Sequence, residues 1–163
     1  MKTSRMPSLL FTVALLFSGL MAGLFFAFSA AVMPGLSRMP DKGFVAAMNT
    51  INTSIRNPVF FLIFIGILLL LPASSYLAYK HFPVSSFRMV LAATVIYFLG
   101  VFVVTAAVNI PLNNALATVD AERDPAERIS IARAAFENRW NLFNGIRMFS
   151  AILSFVLLLL GIK

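Results

Sequence analysis

Long apolar runs alternate with short polar breaks along this chain, and the run lengths predict its elements. No charge occurs from Ser8 to Met33. At about 1.5 Å per residue this stretch is long enough to cross a hydrocarbon core of about 30 Å. Pro34-Gly35 ends the run and is expected to break the helix. Phe44, Met48, Ile51 and Ile55 then recur at helical spacing, with Asn49, Asn52 and Arg56 off that stripe. This predicts a short amphipathic helix over 41–56, lying on the membrane surface or capping the spans. Asn57-Pro58 is a helix start, with an asparagine able to cap and a proline suited to the first position. Val59 to Tyr79 forms a second span, with Pro72 inside it as a predicted kink.

A third apolar run, Met89 to Val108, leads into Asn109-Ile-Pro-Leu-Asn-Asn114, where Pro111 is expected to stop or kink the helix. The charged segment over 118–128 follows. Asp124-Pro125 reads as the cap and first residue of a new helix carrying Ile129, Ala132, Ala135, Phe136 and Trp140 at helical period. The last apolar stretch, Phe149 to Ile162, covers only about 21 Å and cannot cross alone. Extended back to Leu142 it reaches about 31 Å, which draws Asn144 and Arg147 into the span. An arginine at that depth must snorkel or find a partner.

These elements predict an all-α integral membrane four-helix bundle, one domain over 1–163. Its spans fall near 8–33, 59–79, 87–108 and 142–162, with an extra amphipathic helix between spans 1 and 2 and an extended fourth helix. Composition agrees: 60% of residues are hydrophobic, 12% are charged and the mean hydropathy is +0.91, against about 45–50% and about 25% in soluble domains. The first run is long for a signal-peptide core, so a retained span is expected. Gly19 and Gly23 form a G-x-x-x-G, which lets a helix approach closely, either within the chain or from a second copy in a homo-oligomer.

With spans alternating in direction, both termini share one side and the connections 34–58 and 109–145 share the other. Lys2, Arg5, Lys80, Arg88 and Lys163 fall on the terminal side, while all 6 acidic residues lie with the long connections. Net charge favours the termini in the cytoplasm, whereas the plain count of Lys and Arg, five against the other eight, favours the reverse; with Arg128, Arg133 and Arg147 not free to act as topogenic charges, cytoplasmic termini are expected. The formal charge of +7 is spread between apolar spans rather than gathered in a patch, which argues against nucleic acid. Absence of cysteine excludes thiolate chemistry, and the single histidine, His81, argues against a histidine metal or haem site.

The candidate chemistry is polar and sits at span ends. Asn109 and Asn113 are four residues apart, and Asn144 and Arg147 three apart, so each pair shares a helix face. Glu137 lies near three turns before Arg147 on roughly the same face. One reading is a tie between two helices. The other is a pocket in which amides and a guanidinium, joined by the Glu137 carboxylate, bind a carbonyl or phenol oxygen or stabilise an enolate-type anion.

Four segments together resemble the anthrone oxygenase-like family of small four-span membrane proteins. They are A-G-L-F-F-A-F-S-A-A-V-M-P-G at Ala22–Gly35, M-N-T-I-N at Met48–Asn52 with Asn57-Pro58, N-I-P-L-N-N at Asn109–Asn114, and R-W-N-L-F-N-G-I-R at Arg139–Arg147. The resemblance implies oxidation of a polycyclic phenol or anthrone to a quinone with dioxygen, without a cofactor. It implies a hydrophobic small molecule as partner (an aromatic polyketide, quinone or lipid) and a multi-pass place in a bacterial inner membrane. On that reading Arg147, Asn109 and Asn144 stabilise the substrate anion, and Glu137, His81 or solvent takes the proton. Asn113, Asn114, Trp140, Asn52 and Phe143 then line the substrate. Members of the family often carry Trp at the position of Phe143 and His at that of Gly145. The alternative is a lipid- or quinone-binding or accessory membrane protein with no enzymatic role.

Overall fold

A computed structural model describes residues 5–163, with side chains from Leu9 onward, so Lys2 and the Arg5 side chain lie outside the described residues. The described chain is all-helical. Helix α1 begins as Arg5–Ala27, widens into a π turn over Phe28–Val32 and closes with Met33–Leu36. Helix α2 is Asp41–Ser54, and α3 is Pro58–His81. Helix α4 starts as Val84–Tyr97, passes through π turns at Phe98–Val103 and Thr105–Asn109, and ends as Ile110–Leu116. Helix α5 is Ala126–Gly161, 36 residues, and merges the charged segment with the last apolar run.

Four of these helices are long and apolar enough to cross a membrane: Leu9–Leu36, Pro58–His81, Val84–Leu116 and Ala126–Gly161. Only 28–33% of each apolar window is buried inside the protein. The remaining apolar faces, including Leu20, Phe26, Leu62, Leu69, Leu99 and Phe149, point outward. Water would not tolerate that much contiguous apolar surface, and lipid does.

The first helix ends at Leu36, one residue past Gly35 and close to the expected break, while α4 runs on through Pro111 to Leu116. A proline lacks the N–H that bonds four residues back, and its ring collides with that carbonyl. In both helices the π turn lies just ahead of the proline, Phe28–Val32 before Pro34 and Thr105–Asn109 before Pro111. Widening that turn relieves the clash without exposing a run of unpaired backbone groups in the bilayer. Helix α3 also continues through Pro72, and its polar side chains there stitch it to α4. Ser75 Oγ lies 2.8 Å from Thr94 Oγ1, and Thr94 Oγ1 donates to Leu71 O at 3.2 Å. The predicted cap of α3 is present: Asn57 Oδ1 accepts from Phe60 N at 3.0 Å. At the start of α5 Pro125 sits one residue ahead of the helix, and Asp124 binds Asp120 N and Arg128 instead of capping.

Helix α1 packs against α3 and α5, and α4 packs against the same two. Small residues permit the closest approaches. A Cβ at Gly19 would meet the Phe155 ring at 3.3 Å, so this glycine of the G-x-x-x-G serves a contact within the chain. Gly100 lies so close to Ser150 that no side chain fits there. The core has two parts. One fills the spans around Ile67, Leu71, Val90, Tyr97 and Leu158. The other, at the end bearing the long connections, joins Met33, Phe44, Met48, Leu116, Phe136 and Trp140 from α1, α2, α4 and α5.

Candidate functional site

The site is built where helices α1 and α4 are widened by their π turns. Such turns rotate the following side chains out of register with the helix, and they recur at functional sites. Phe25 and Phe28 come from α1, Thr105, Asn109 and Asn113 from α4, Trp140, Asn144 and Arg147 from α5, Asn52 from α2, and Phe60 and Phe64 from the start of α3. Together they enclose a cavity of about 350 Å³. That is the size range of small-molecule pockets, and its walls are mostly apolar and aromatic, as such pockets are.

Arg147 is the feature that sets the electrostatics. It is 7% exposed and lies within a helix long and apolar enough to cross a membrane. Among the described residues no carboxylate is within ion-pairing distance of it. Nη2 donates to Asn144 Oδ1 at 2.8 Å, and Nη1 makes a long contact of 3.4 Å to Thr105 Oγ1. Its guanidinium carbon lies 4.7 Å from the centre of the Phe25 ring and 5.3 Å from that of Trp140. Each ring face contributes up to about 2 kcal/mol to a desolvated cation. Nε has no partner. The charge is thus held in place by neutral groups and aromatic faces, and its field remains uncancelled.

The amides divide into those already engaged and those left open. Asn144, 1% exposed, accepts from Arg147 and donates through Nδ2 to Ser29 Oγ at 2.8 Å and Phe25 O at 3.2 Å. It therefore positions Arg147. Asn113 Oδ1 accepts from Trp140 Nε1 at 2.9 Å, which leaves its Nδ2 as the free donor. Asn109 is 1% exposed, and neither its Oδ1 nor its Nδ2 has a partner. Asn52 Nδ2 is likewise buried and unpartnered. An unpaired buried amide costs about 1–3 kcal/mol. Two such amides and the uncompensated guanidinium of Arg147 line one cavity.

Seven of the nine sequence-derived candidates, Arg147, Asn109, Asn144, Asn113, Asn114, Trp140 and Asn52, line this cavity. Two do not. Phe143 is half-buried outside it. Glu137 accepts from Arg133 Nε at 2.8 Å and does not reach Arg147. Ten residues make about 2.8 turns, which leaves the two side chains well apart around the helix, while Arg133 is four residues away on the same face. His81, the other candidate proton acceptor, ends α3 about 25 Å along the axis from Phe64. Sequence reasoning missed Phe25, Phe60, Phe64 and Arg56, which come from distant segments and carry no local signal. Among the described residues no three His, Asp or Glu side chains gather as a metal set would require.

An all-helical membrane protein with a cationic, amide-lined internal cavity is the class these features define. A family model described as anthrone oxygenase matches residues 60–157, more than half of the chain, and the protein belongs to that family. The match includes Asn109–Asn114 and Arg139–Arg147, hence the α4 and α5 walls of the cavity. Neither the comparison with curated proteins nor that with solved structures gave a match.

Proposed function

We propose that this protein oxidises an anthrone-type polycyclic phenol to the corresponding quinone with dioxygen, inside the cavity above Arg147. The observation that carries this reading is the uncompensated Arg147 guanidinium, held over the Phe25 and Trp140 rings on the cavity that the unpartnered Asn109 also lines. An anthrone that loses a proton from its central CH₂ becomes an electron-rich enolate whose charge rests on oxygen. Arg147 meets that oxygen, and Asn109, Asn52 and Asn113 donate to its neighbours. Such preorganised donors stabilise developing charge best in a water-poor site. The aromatic walls take the flat ring system by stacking.

The atoms and electrons balance without another reactant. The enolate passes one electron to O₂, and the carbon radical and superoxide combine to a hydroperoxide after protonation. Loss of water from the hydroperoxide leaves C=O where CH₂ stood. The net change is one CH₂ and one O₂ converted to one C=O and one H₂O.

The test is turnover. Purified protein in detergent or nanodiscs is given emodin anthrone under air, and quinone absorbance is followed beside a protein-free control. The expected result is Arg147-dependent acceleration. A rate equal to spontaneous oxidation sinks the proposal. The cavity's apolar and aromatic lining also favours a second reading, a quinone-binding protein without turnover, which saturable quinone binding in the absence of acceleration would support.

A further inference from the structure

The enolate must form somewhere, and of the proton acceptors expected from sequence the two side chains, Glu137 and His81, are not at the site. Among the described residues lining the cavity there is no Asp, Glu or His, and the charged ones are Arg147 within and Arg56 at its exposed rim. We infer that the cavity takes its substrate as a preformed organic anion, an enolate or phenolate, and that no side chain of the site removes the proton. The inference rests on the oxidation reading only for what happens to the anion afterwards.

The argument is one of electrostatics and position. Helices α1 and α3 bring only apolar and aromatic side chains to the lining, with no titratable group. The connection after α2 brings Arg56, and the first-turn Asp41 of α2 is bound to Arg133 at 2.9 Å. On α5, Glu137 is bound to the same arginine. Helix α4 brings Tyr97, a buried hydroxyl without a partner that sits deeper in the spans, within electrostatic reach of Arg147 but outside the lining. A base must lie within hydrogen-bond reach of the proton it takes, and no carboxylate or imidazole meets that condition here. Arg147 instead favours the charged form of any acid placed beside it. The proton is therefore released to water outside the cavity, and the electron pair left on the ring system enters with the ligand. Asn109, with both amide atoms open and 1% exposure, supplies the donor that a neutral apolar ligand would leave unpaired.

Two hydroxyanthraquinones test this directly, because they do not turn over and their visible band moves to the red on ionisation. 1-Hydroxyanthraquinone is the weaker acid, its hydroxyl being held by its own carbonyl, and 2-hydroxyanthraquinone is the stronger. Each is titrated with pH in the presence of the purified protein. The expected result is a bound phenolate spectrum for both dyes, with midpoints about one to three pH units below those of the free dyes. Arg147→Gln should remove the shift. If that variant fails to fold, the wild-type titration still decides, since dyes bound in the neutral form overturn the inference. In turnover, the inflection of kcat/KM with pH should move with the acidity of the anthrone supplied and should stay put in Tyr97→Phe. An inflection fixed across substrates, or moved by Tyr97→Phe, overturns it. Bound anion without oxidation would sink the oxidation reading and leave this inference standing. Oxidation with a fixed inflection would do the reverse.

Discussion

Arg133 and Arg147 lie on one helix, 14 residues and about four turns apart, and the protein treats them in opposite ways. Arg133 is saturated. It donates to Ser37 O, Met39 O, Asp41 Oδ1 and Glu137 Oε2, all at 2.8–2.9 Å, and packs 4.5 Å from the centre of the Phe44 ring. Two carboxylates cancel its charge, and its bonds tie the α1–α2 connection to α5. Arg147 has an amide, a distant hydroxyl and two rings. Arg133 has its counter-charges attached, whereas Arg147 has only neutral contacts; under the proposed function the field of Arg147 acts on the bound anion.

Replacing each arginine with the uncharged Met breaks the comparison most sharply. Arg147→Met should lower turnover about 10²–10³-fold, the scale of losing a charge-stabilising donor. The thermal midpoint should barely fall, because the cation's desolvation penalty disappears with it. Arg133→Met should do the opposite. Loss of its bonds leaves Asp41 and Glu137 partly buried without a cation, a destabilisation of about 2–3 kcal/mol. Turnover per folded molecule should stay near wild type. Turnover and detergent-denaturation midpoints measured on both variants check the pair. Equal loss of stability in the two would end the distinction.

The same contrast explains what the sequence could and could not reveal. The four long helices were legible because charge-free runs have one reading at this length. Arg147 was legible as a membrane-depth residue, since Phe149–Ile162 cannot cross without it. Asn109, Asn113 and Asn144 followed from three- and four-residue spacing. Glu137 was misassigned because ten residues make about 2.8 turns and fall short of returning to the same face, whereas the four-residue link to Arg133 does return. Pro34-Gly35 reads as a break and Pro111 as a stop or kink, and neither reading foresees the π turns ahead of them. In a bilayer the helix absorbs both prolines as π turns, and those turns shape the cavity. Phe25 is 122 positions from Arg147 in sequence (147 − 25), and no periodicity connects residues on different helices.

Trp140 sharpens the comparison at smaller scale, since it serves Arg147 as a ring face and Asn113 as a donor. Trp140→Phe keeps a ring but removes the 2.9 Å bond from Nε1. Asn113 then loses its orientation, and ligand affinity should weaken by about 1 kcal/mol, roughly a fivefold rise in Kd. Titration with 2-hydroxyanthraquinone measures this. An unchanged Kd would mean that Asn113 does not contact the ligand.

Gly145 gives the smallest expected effect and isolates the helix from both arginines. It lies between them on α5, a position where a Cβ would meet nothing within 4 Å and where no cavity wall is formed. Glycine in a helix interior lowers stability by about 0.5–1 kcal/mol relative to alanine, through the backbone freedom it loses on folding. Gly145→Ala should therefore raise the denaturation midpoint by that amount and leave kcat/KM unchanged. Both arginines keep their neighbours, because the added methyl group points into open space. If turnover falls while stability rises, α5 must flex at this glycine for Arg147 to work. The rigid placement of Arg147 by Asn144 and Phe25 would then be insufficient to account for the site.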